Sequence, residues 1–202
     1  MVKHDMTNII FAGVGGQGVL LAGKILMQVA LDAGYDVKES EVHGMAQRGG
    51  SVDCHVRYGD TVYSPLVEKG GADYIVAFEY VEAIRKLDYL KEDGKLIVNR
   101  LAVKPVLVEA GLEEYPQDVE SWIKENVKNS VLIDTKDVLK EVKSSRALNI
   151  VMLGALANYL AFDKESWEEA IKKTVKEKFV EMNLNAFDRM FKKTAGQLDI
   201  MV

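Results

Sequence analysis

Two glycine-rich segments carry the residue types that could do chemistry. Gly13, Gly15 and Gly18, within Gly13-Val14-Gly15-Gly16-Gln17-Gly18, have the spacing of a dinucleotide fingerprint. In that motif glycines allow a tight turn and let backbone N–H groups approach a pyrophosphate at a helix N-terminus. Downstream, Ser40-Glu41-Val42-His43-Gly44-Met45-Ala46-Gln47-Arg48-Gly49-Gly50-Ser51 packs polar, cationic and glycine residues with neither a helical nor a strand period. There Arg48 stands beside Gly49, Gly50 and Ser51, a forked cation next to exposed backbone donors, which suits a phosphate or carboxylate. Glu41 and His43 could orient that cation, or Glu41 could pair with Arg48 and simply brace the loop. Glu39 lies about 20 residues beyond the glycine turn, where an acid could take a ribose hydroxyl. The glycines also admit a plain reading, close packing of a strand on a helix with no ligand.

Other chemistry is scarce. No nucleophile, base and acid stand together. Cys54 and His55 fall on opposite faces of a strand and cannot ligate one metal, and His4 is close to a fraying terminus, so no metal site is expected. Cys54 shares its face with Val52 and Val56 and reads as a small core residue. As the only cysteine, it excludes an internal disulfide and a four-thiolate iron–sulfur cluster, so any cluster belongs to another chain. The formal net charge of −5 argues against general nucleic-acid binding, although a local basic loop can still hold one phosphate.

The elements that must position these residues follow from periodicity. Residues 8–12 form a buried first strand running into the glycines, and a helix over 17–33 has apolar Leu20, Leu21, Ile25, Leu26 and Val29, with Gly34 as its stop. Residues 35–39 make a second strand. Val52, Cys54 and Val56 alternate with Asp53, His55 and Arg57, the pattern of a strand with one wet face, and Gly59-Asp60 would turn it into a hairpin. Short apolar runs at 74–78, 95–99 and 131–134 alternate with helical patterns such as Val119, Trp122, Ile123 and Val127, which implies a layered α/β fold. The hairpin makes the sheet mixed rather than purely Rossmann. The apolar run 147–162 is shorter than the roughly 20 residues that span a bilayer. It suits a core helix, or, if part of it faces outward, a subunit contact such as a homodimer of the isolated chain. Trp167, Ile171, Val175 and Phe179 mark one amphipathic helix, and a polar tail with Asn183, Asn185 and Lys192 follows. At 202 residues and 48% hydrophobic content, one domain over residues 1–202 is expected. Residues 1–8 lack the apolar core of a signal peptide, which points to a cytoplasmic protein with no membrane partner.

The glycine turn with its helix, the run from Glu41 to Ser51, and Tyr63-Ser64-Pro65-Leu66 together resemble the gamma-type subunit or domain of the 2-oxoacid:ferredoxin oxidoreductases over most of the chain. Residues 149–157 and 178–187 look most like the stand-alone small subunit, called beta, of the indolepyruvate branch. The resemblance implies a three-layer α/β/α sandwich with a mostly parallel, mixed sheet, Rossmann-like, of the type of domain III of pyruvate-ferredoxin oxidoreductase. It further implies a complex that oxidatively decarboxylates a 2-oxo acid, an arylpyruvate such as indolepyruvate, to an acyl-CoA while reducing ferredoxin. Thiamine diphosphate and iron–sulfur clusters are then expected on larger partner subunits, and ferredoxin is met through the complex. This chain would bind no cofactor tightly, share coenzyme A or close the active site, and be inactive alone. Gly13, Gly15, Gly16, Gln17, Gly18, Glu41, His43, Gln47, Arg48, Gly49, Gly50 and Ser51 carry over as motif positions, with no catalytic role attached to any of them. Two other readings stay open: an independent NAD(P)- or flavin-dependent oxidoreductase built on the glycine turn and Glu39, and a non-catalytic module whose loops hold a partner.

Overall fold

Ile9, Ile10, Phe11 and Ala12 are wholly buried because their strand, β1 (Thr7–Val14), has a neighbour along each edge and helices or extended chain over each face. The computed structural model describes residues 6–43, 50–104, 108, 111–112 and 114–198. Six strands form one sheet in the order β2-β3-β1-β4-β5-β6, with β2 (Asp36–His43), β3 (Ser51–Gly59), β4 (Ala72–Ala77), β5 (Leu90–Asn99) and β6 (Ser130–Ile133). Strands β1, β4, β5 and β6 are parallel, while β3 runs antiparallel to both of its neighbours, β1 and β2.

The mixed sheet is therefore as expected, but its origin is not. Gly59-Asp60 starts no hairpin, since the chain has no strand between β3 and β4, and the antiparallel partners of β3 both precede it. Residues 40–43, expected as aperiodic loop, extend β2 to His43. Nor is one face of β3 wet. Asp53 and His55 are only 5% and 4% exposed. Asp53 pairs with Lys86, and His55 Nδ1 accepts the Val67 N–H at 3.1 Å while its ring meets Tyr89 edge-on. Arg57 donates to the Asn8 side chain and to the carbonyls of Ser64 and Leu66, so the chain after β3 folds back over this face. Alternation in sequence separated the two faces correctly. It could not reveal that the polar face is covered, with partners from distant sequence for Asp53 Oδ2, His55 and Arg57.

Over one face lie α1 (Val19–Asp32), α4 (Lys136–Glu141), α5 (Leu148–Ala157), α6 (Lys164–Thr174) and α7 (Val180–Leu198); over the other lie α2 (Tyr80–Arg85) and α3 (Val119–Asn126). The molecule is thus a three-layer α/β/α sandwich. Helix α1 ends in a Schellman motif: Gly34 takes φ +86°, its N–H reaches the Leu31 carbonyl, and the Tyr35 N–H reaches the Ala30 carbonyl. Every residue of α5 is buried, because it is sandwiched between the sheet and α7 and has no outward face for a subunit contact. Gly154 makes that sandwich tight, since a Cβ there would stand 2.7 Å from the Phe187 carbonyl oxygen. The expected polar tail is α7, which buries Ala186, Phe187 and Met190; Asn183, Asn185 and Lys192 belong to that same helix. The amphipathic stretch that begins near Trp167 ends at Thr174, and a 3-10 turn at Glu177–Phe179 separates it from α7. Among the described residues no helix is long and apolar enough to cross a membrane.

Burial first, and then the charges of Lys86 and Arg57, push the His55 pKa down from its usual 6.5 to about 4. The folded protein therefore binds this proton less readily than the unfolded chain, so His55 costs nothing above pH 6.5 and destabilises progressively as pH falls from 6.5 towards 4. The variant His55→Asn should retain an acceptor for Val67 and lose that part of the acid sensitivity. In denaturation curves the stability of the wild type should fall more steeply than that of His55→Asn as pH drops from 6.5 towards 4, and an identical pH dependence for both would rule out a buried neutral histidine.

Candidate functional site

At the carboxyl ends of β1, β4, β5 and β6 the chain leaves β1 towards β2 and β3 but leaves β4 towards β5 and β6. The edge between β1 and β4 is thus a topological switch point, where α/β sheets open a crevice for ligands. The glycine turn leaves β1 there, and Gly50 and Ser51 enter β3 beside it, with Val14 and Ser51 the last pair of the β1–β3 ladder.

Counting the turn's amides shows which can serve a ligand. The Val14 N–H is taken by Gln17 Oε1 at 2.8 Å, the Gln17 N–H by the Val14 carbonyl at 3.1 Å, and the Gly15 N–H by the Gly50 carbonyl at 2.9 Å. Gly15 therefore braces the turn instead of offering a donor. Among the described residues, the N–H groups of Gly16, Gly18, Val19, Leu20 and Leu21 have no partner, and the N-cap of α1 is Gly18, which has no side chain to satisfy them. Free amides in the first turn of a helix, with its dipole behind them, form an anion site. Gly16 and Gly18 adopt φ +103° and +81°, which favours glycine at both positions. Gly13 is required for a different reason: a Cβ there would stand 2.6 Å from Gln17 Oε1, which lies folded back across the turn.

Two clefts meet at this turn. The first, about 390 Å³, is lined by Gly15, Gly16, Gly18, Leu21 and Val52 among others. The second, about 480 Å³, shares Leu21 and runs to Asn149, Lys143, Arg146, Phe179 and Met182. Asn149 links the two, since a Cβ on Gly18 would stand 2.8 Å from its Nδ2. Lys143 and Arg146 have no ion-pair partner among the described residues, and no carboxylate is among those lining this cleft. Lys143 also holds φ +55°, a left-handed conformation that costs a non-glycine residue about 1 kcal/mol and that recurs at functional sites. In an acidic chain, this is a locally basic groove with an apolar floor.

The other expected residues are placed as follows. Glu41 lies on β2 and pairs with Lys24 of α1 at 3.5 Å. His43 ends β2 at the same sheet edge as the turn. Gln47, Arg48 and Gly49, with residues 44–46, lie outside the described residues. Gly50 and Ser51 stand against the turn, and the Ser51 hydroxyl donates to Glu82 Oε2 at 2.6 Å. Glu39 is not in position for a ribose. Strand β3 separates β2 from β1, and Glu39 Oε1 instead accepts the Cys54 thiol at 3.2 Å. Burial and then the Glu39 charge push the Cys54 thiol far up, so this buried cysteine is an inert core group, as expected. No cluster of metal-ligating residues occurs among the described residues. The sequence reading missed Lys143, Arg146 and Asn149 as site residues. Asn149, one of two amides in the apolar run 147–162, was the one signal available.

A sequence profile of the pyruvate ferredoxin/flavodoxin oxidoreductase family matches residues 8–192. The indolepyruvate oxidoreductase subunit IorB of Pyrococcus horikoshii is 39% identical over 198 residues, covering 96% of this chain and 98% of that protein. Among solved structures, the keto/oxoacid ferredoxin oxidoreductase gamma subunit from Geobacter sulfurreducens superposes with a TM-score of 0.69 at 26% identity, over 94% of this chain and 99% of that one. The 2-oxoglutarate:ferredoxin oxidoreductase from Magnetococcus marinus, solved with 2-oxoglutarate, coenzyme A and succinyl-CoA, shares the fold with a TM-score of 0.73 at 20% identity, over 97% of this chain and 32% of that one.

Gly18→Ala combines left-handed strain with a clash against Asn149, whereas Gly70→Ala, at φ +71°, meets nothing within 4 Å. The first should lower stability by about 2–3 kcal/mol and the second by about 1 kcal/mol. Chemical denaturation of both variants checks this; equal losses would mean that Asn149 does not pack on the turn.

Proposed function

The chain belongs to the pyruvate ferredoxin/flavodoxin oxidoreductase family as a small, gamma-type subunit of a 2-oxoacid:ferredoxin oxidoreductase, and we propose that its task in that complex is to hold coenzyme A in the groove at the carboxyl edge of the sheet. One observation carries this reading: backbone amides without a partner among the described residues stand at one end of the groove, Lys143 and Arg146, with no ion-pair partner among those residues, stand at the other, and Leu21 and Asn149 join them. Coenzyme A carries a 5′-diphosphate and a 3′-phosphate on the ribose that also bears its adenine, and beyond the diphosphate runs a pantetheine arm with two amides, a hydroxyl and the terminal thiol. The free amides of Gly16, Gly18 and the first turn of α1 take the diphosphate, and Lys143 and Arg146 take the ribose phosphate. Phe179, 39% exposed, and Met182 supply the apolar surface for the adenine.

The substrate is a 2-oxo acid of the arylpyruvate class, as the likeness to the Pyrococcus horikoshii subunit favours. Thiamine diphosphate and the iron–sulfur clusters belong to larger subunits, which carry out carbon–carbon cleavage and pass the electrons to ferredoxin. A single, buried cysteine here agrees with that division. This chain's part is to orient the coenzyme A thiol towards the acyl group and to keep water away, so the 202 residues act as one gamma-type unit that is inactive alone. Gln47, Arg48 and Gly49 remain candidates for the same site from the sequence motif. The displacement of Glu39 onto Cys54 weighs against an independent NAD(P)-dependent enzyme, because the usual ribose acceptor is not at the turn.

In the assembled complex, Arg146→Ala should raise the KM for coenzyme A about tenfold, the loss of one charge-assisted hydrogen bond, with the KM for the 2-oxo acid unchanged. Steady-state assays with a viologen dye as electron acceptor measure both constants. An unchanged KM for coenzyme A would remove Arg146 from the site.

A further inference from the structure

Glu82 is a carboxylate only 2% exposed, on α2, outside both clefts of the groove. Burying a carboxylate costs several kcal/mol unless its oxygens are satisfied. One of them, Oε1, pairs with Arg85, whose side chain is half exposed, at 2.6 Å. The other, Oε2, accepts the Ser51 hydroxyl at 2.6 Å. Ser51 is the terminal residue of β3 in its ladder with β1, the point from which that ladder would fray. Its neighbour Gly50 supplies the carbonyl that holds the Gly15 N–H and so sets the shape of the glycine turn.

Helix α2 is itself fixed as an anchor. Glu79, 1% exposed, caps it by accepting the Glu82 N–H, and Glu79 Oε2 receives the Tyr115 hydroxyl at 3.3 Å. At the other end Lys86 pairs with Asp53, two residues beyond Ser51 on the same face of β3. Two points on β3, Ser51 and Asp53, are thus tied to Glu82 on α2 and to Lys86 at its C-cap, which fixes the strand's register against the helix.

We propose that Glu82 is a positioning residue for coenzyme A: through Ser51 and Gly50 it holds the glycine turn in the shape that aims the free amides of Gly16 and Gly18 into the groove. This rests on the reading of the groove as the coenzyme A site. Without the Ser51–Glu82 bond the terminal Val14–Ser51 pair of the β1–β3 ladder opens, the Gly50 carbonyl leaves Gly15, and the amides lose their aim. Glu82 acts at a distance of three links and touches no ligand.

The test measures KM for coenzyme A, KM for the 2-oxo acid and thermal stability in the complex assembled with the larger subunit. Ser51→Ala should raise the KM for coenzyme A about fivefold, the weight of one ordinary hydrogen bond, with the KM for the 2-oxo acid unchanged. Ser51→Thr keeps the hydroxyl and should restore the constant to within about twofold. Glu82→Gln keeps the shape of the anchor, gives a smaller rise, and decides the matter if Ser51→Ala does not assemble. Thr135→Val removes another buried hydroxyl, the one that donates to Asn99 at 2.9 Å near the end of β6, and should lower stability while leaving the KM for coenzyme A alone. If Thr135→Val raises that KM as much as Ser51→Ala does, the effect is general loosening and the proposal is overturned. If Arg146→Ala raises the KM but Ser51→Ala and Glu82→Gln do not, Glu82 is no positioning residue and the coenzyme A site stands. If none of these changes raises it, the coenzyme A site falls and Glu82's role falls with it.

Discussion

The arrangement of the site depends on one constraint: β3 is inserted antiparallel between β1 and β2. In a sheet where β2 lies directly beside β1, an acid at the end of β2 can reach a ribose held on the first glycine turn. Here β3 takes that place. It moves Glu39 one strand outward, onto Cys54, and brings the Gly50 carbonyl to the turn, where it occupies the Gly15 N–H. The same glycine-rich turn that binds a dinucleotide in other sheets is thereby recast. It keeps a helix end whose first amides have no partner among the described residues, and it has no acid in the place of the ribose acceptor.

The remaining architecture serves that edge. Gly23 lets α1 lie close on β3, since a Cβ there would stand 2.2 Å from the Cys54 sulfur, and this seats the first turn of α1 beside Val52 at the mouth of the cleft. On the far side, the wholly buried α5 ties the groove to the core: its first turn bears Asn149 against Gly18, and Arg146 immediately precedes it. Gly154, one turn further along α5, allows α7 to approach, and α7 in turn carries Met182 and Asn183 into the groove. In a chain of net charge −5, Lys143 and Arg146 line this cleft unmatched by carboxylates among the described residues.

Much of this was legible in the sequence where local physics decides the outcome. The first strand, the glycine turn and the stop at Gly34 each follow from short-range rules, and all three occur as expected. What failed were inferences that needed partners from afar. Asp53, His55 and Arg57 read as a wet face because polar side chains on alternate positions usually meet water; Lys86, Val67 and the chain after β3 meet them instead. The segment from Asn183 to Lys192 read as a tail because its polar residues outweigh Ala186, Phe187 and Met190 in a linear count, although on a helix those three form one buried stripe. Glu82 carried no sequence signal at all, since its significance lies in a hydroxyl 31 residues away.

On the proposed function, this chain completes a 2-oxoacid:ferredoxin oxidoreductase by supplying the coenzyme A edge. The most direct test of this is coenzyme A-dependent reduction of a viologen dye with indolepyruvate, measured without oxygen for this chain alone, for its larger partner subunit alone and for the two together. Turnover is expected only from the mixture, saturating in coenzyme A. Dye reduction by the isolated chain, or full coenzyme A-dependent activity from the larger subunit without it, would contradict it.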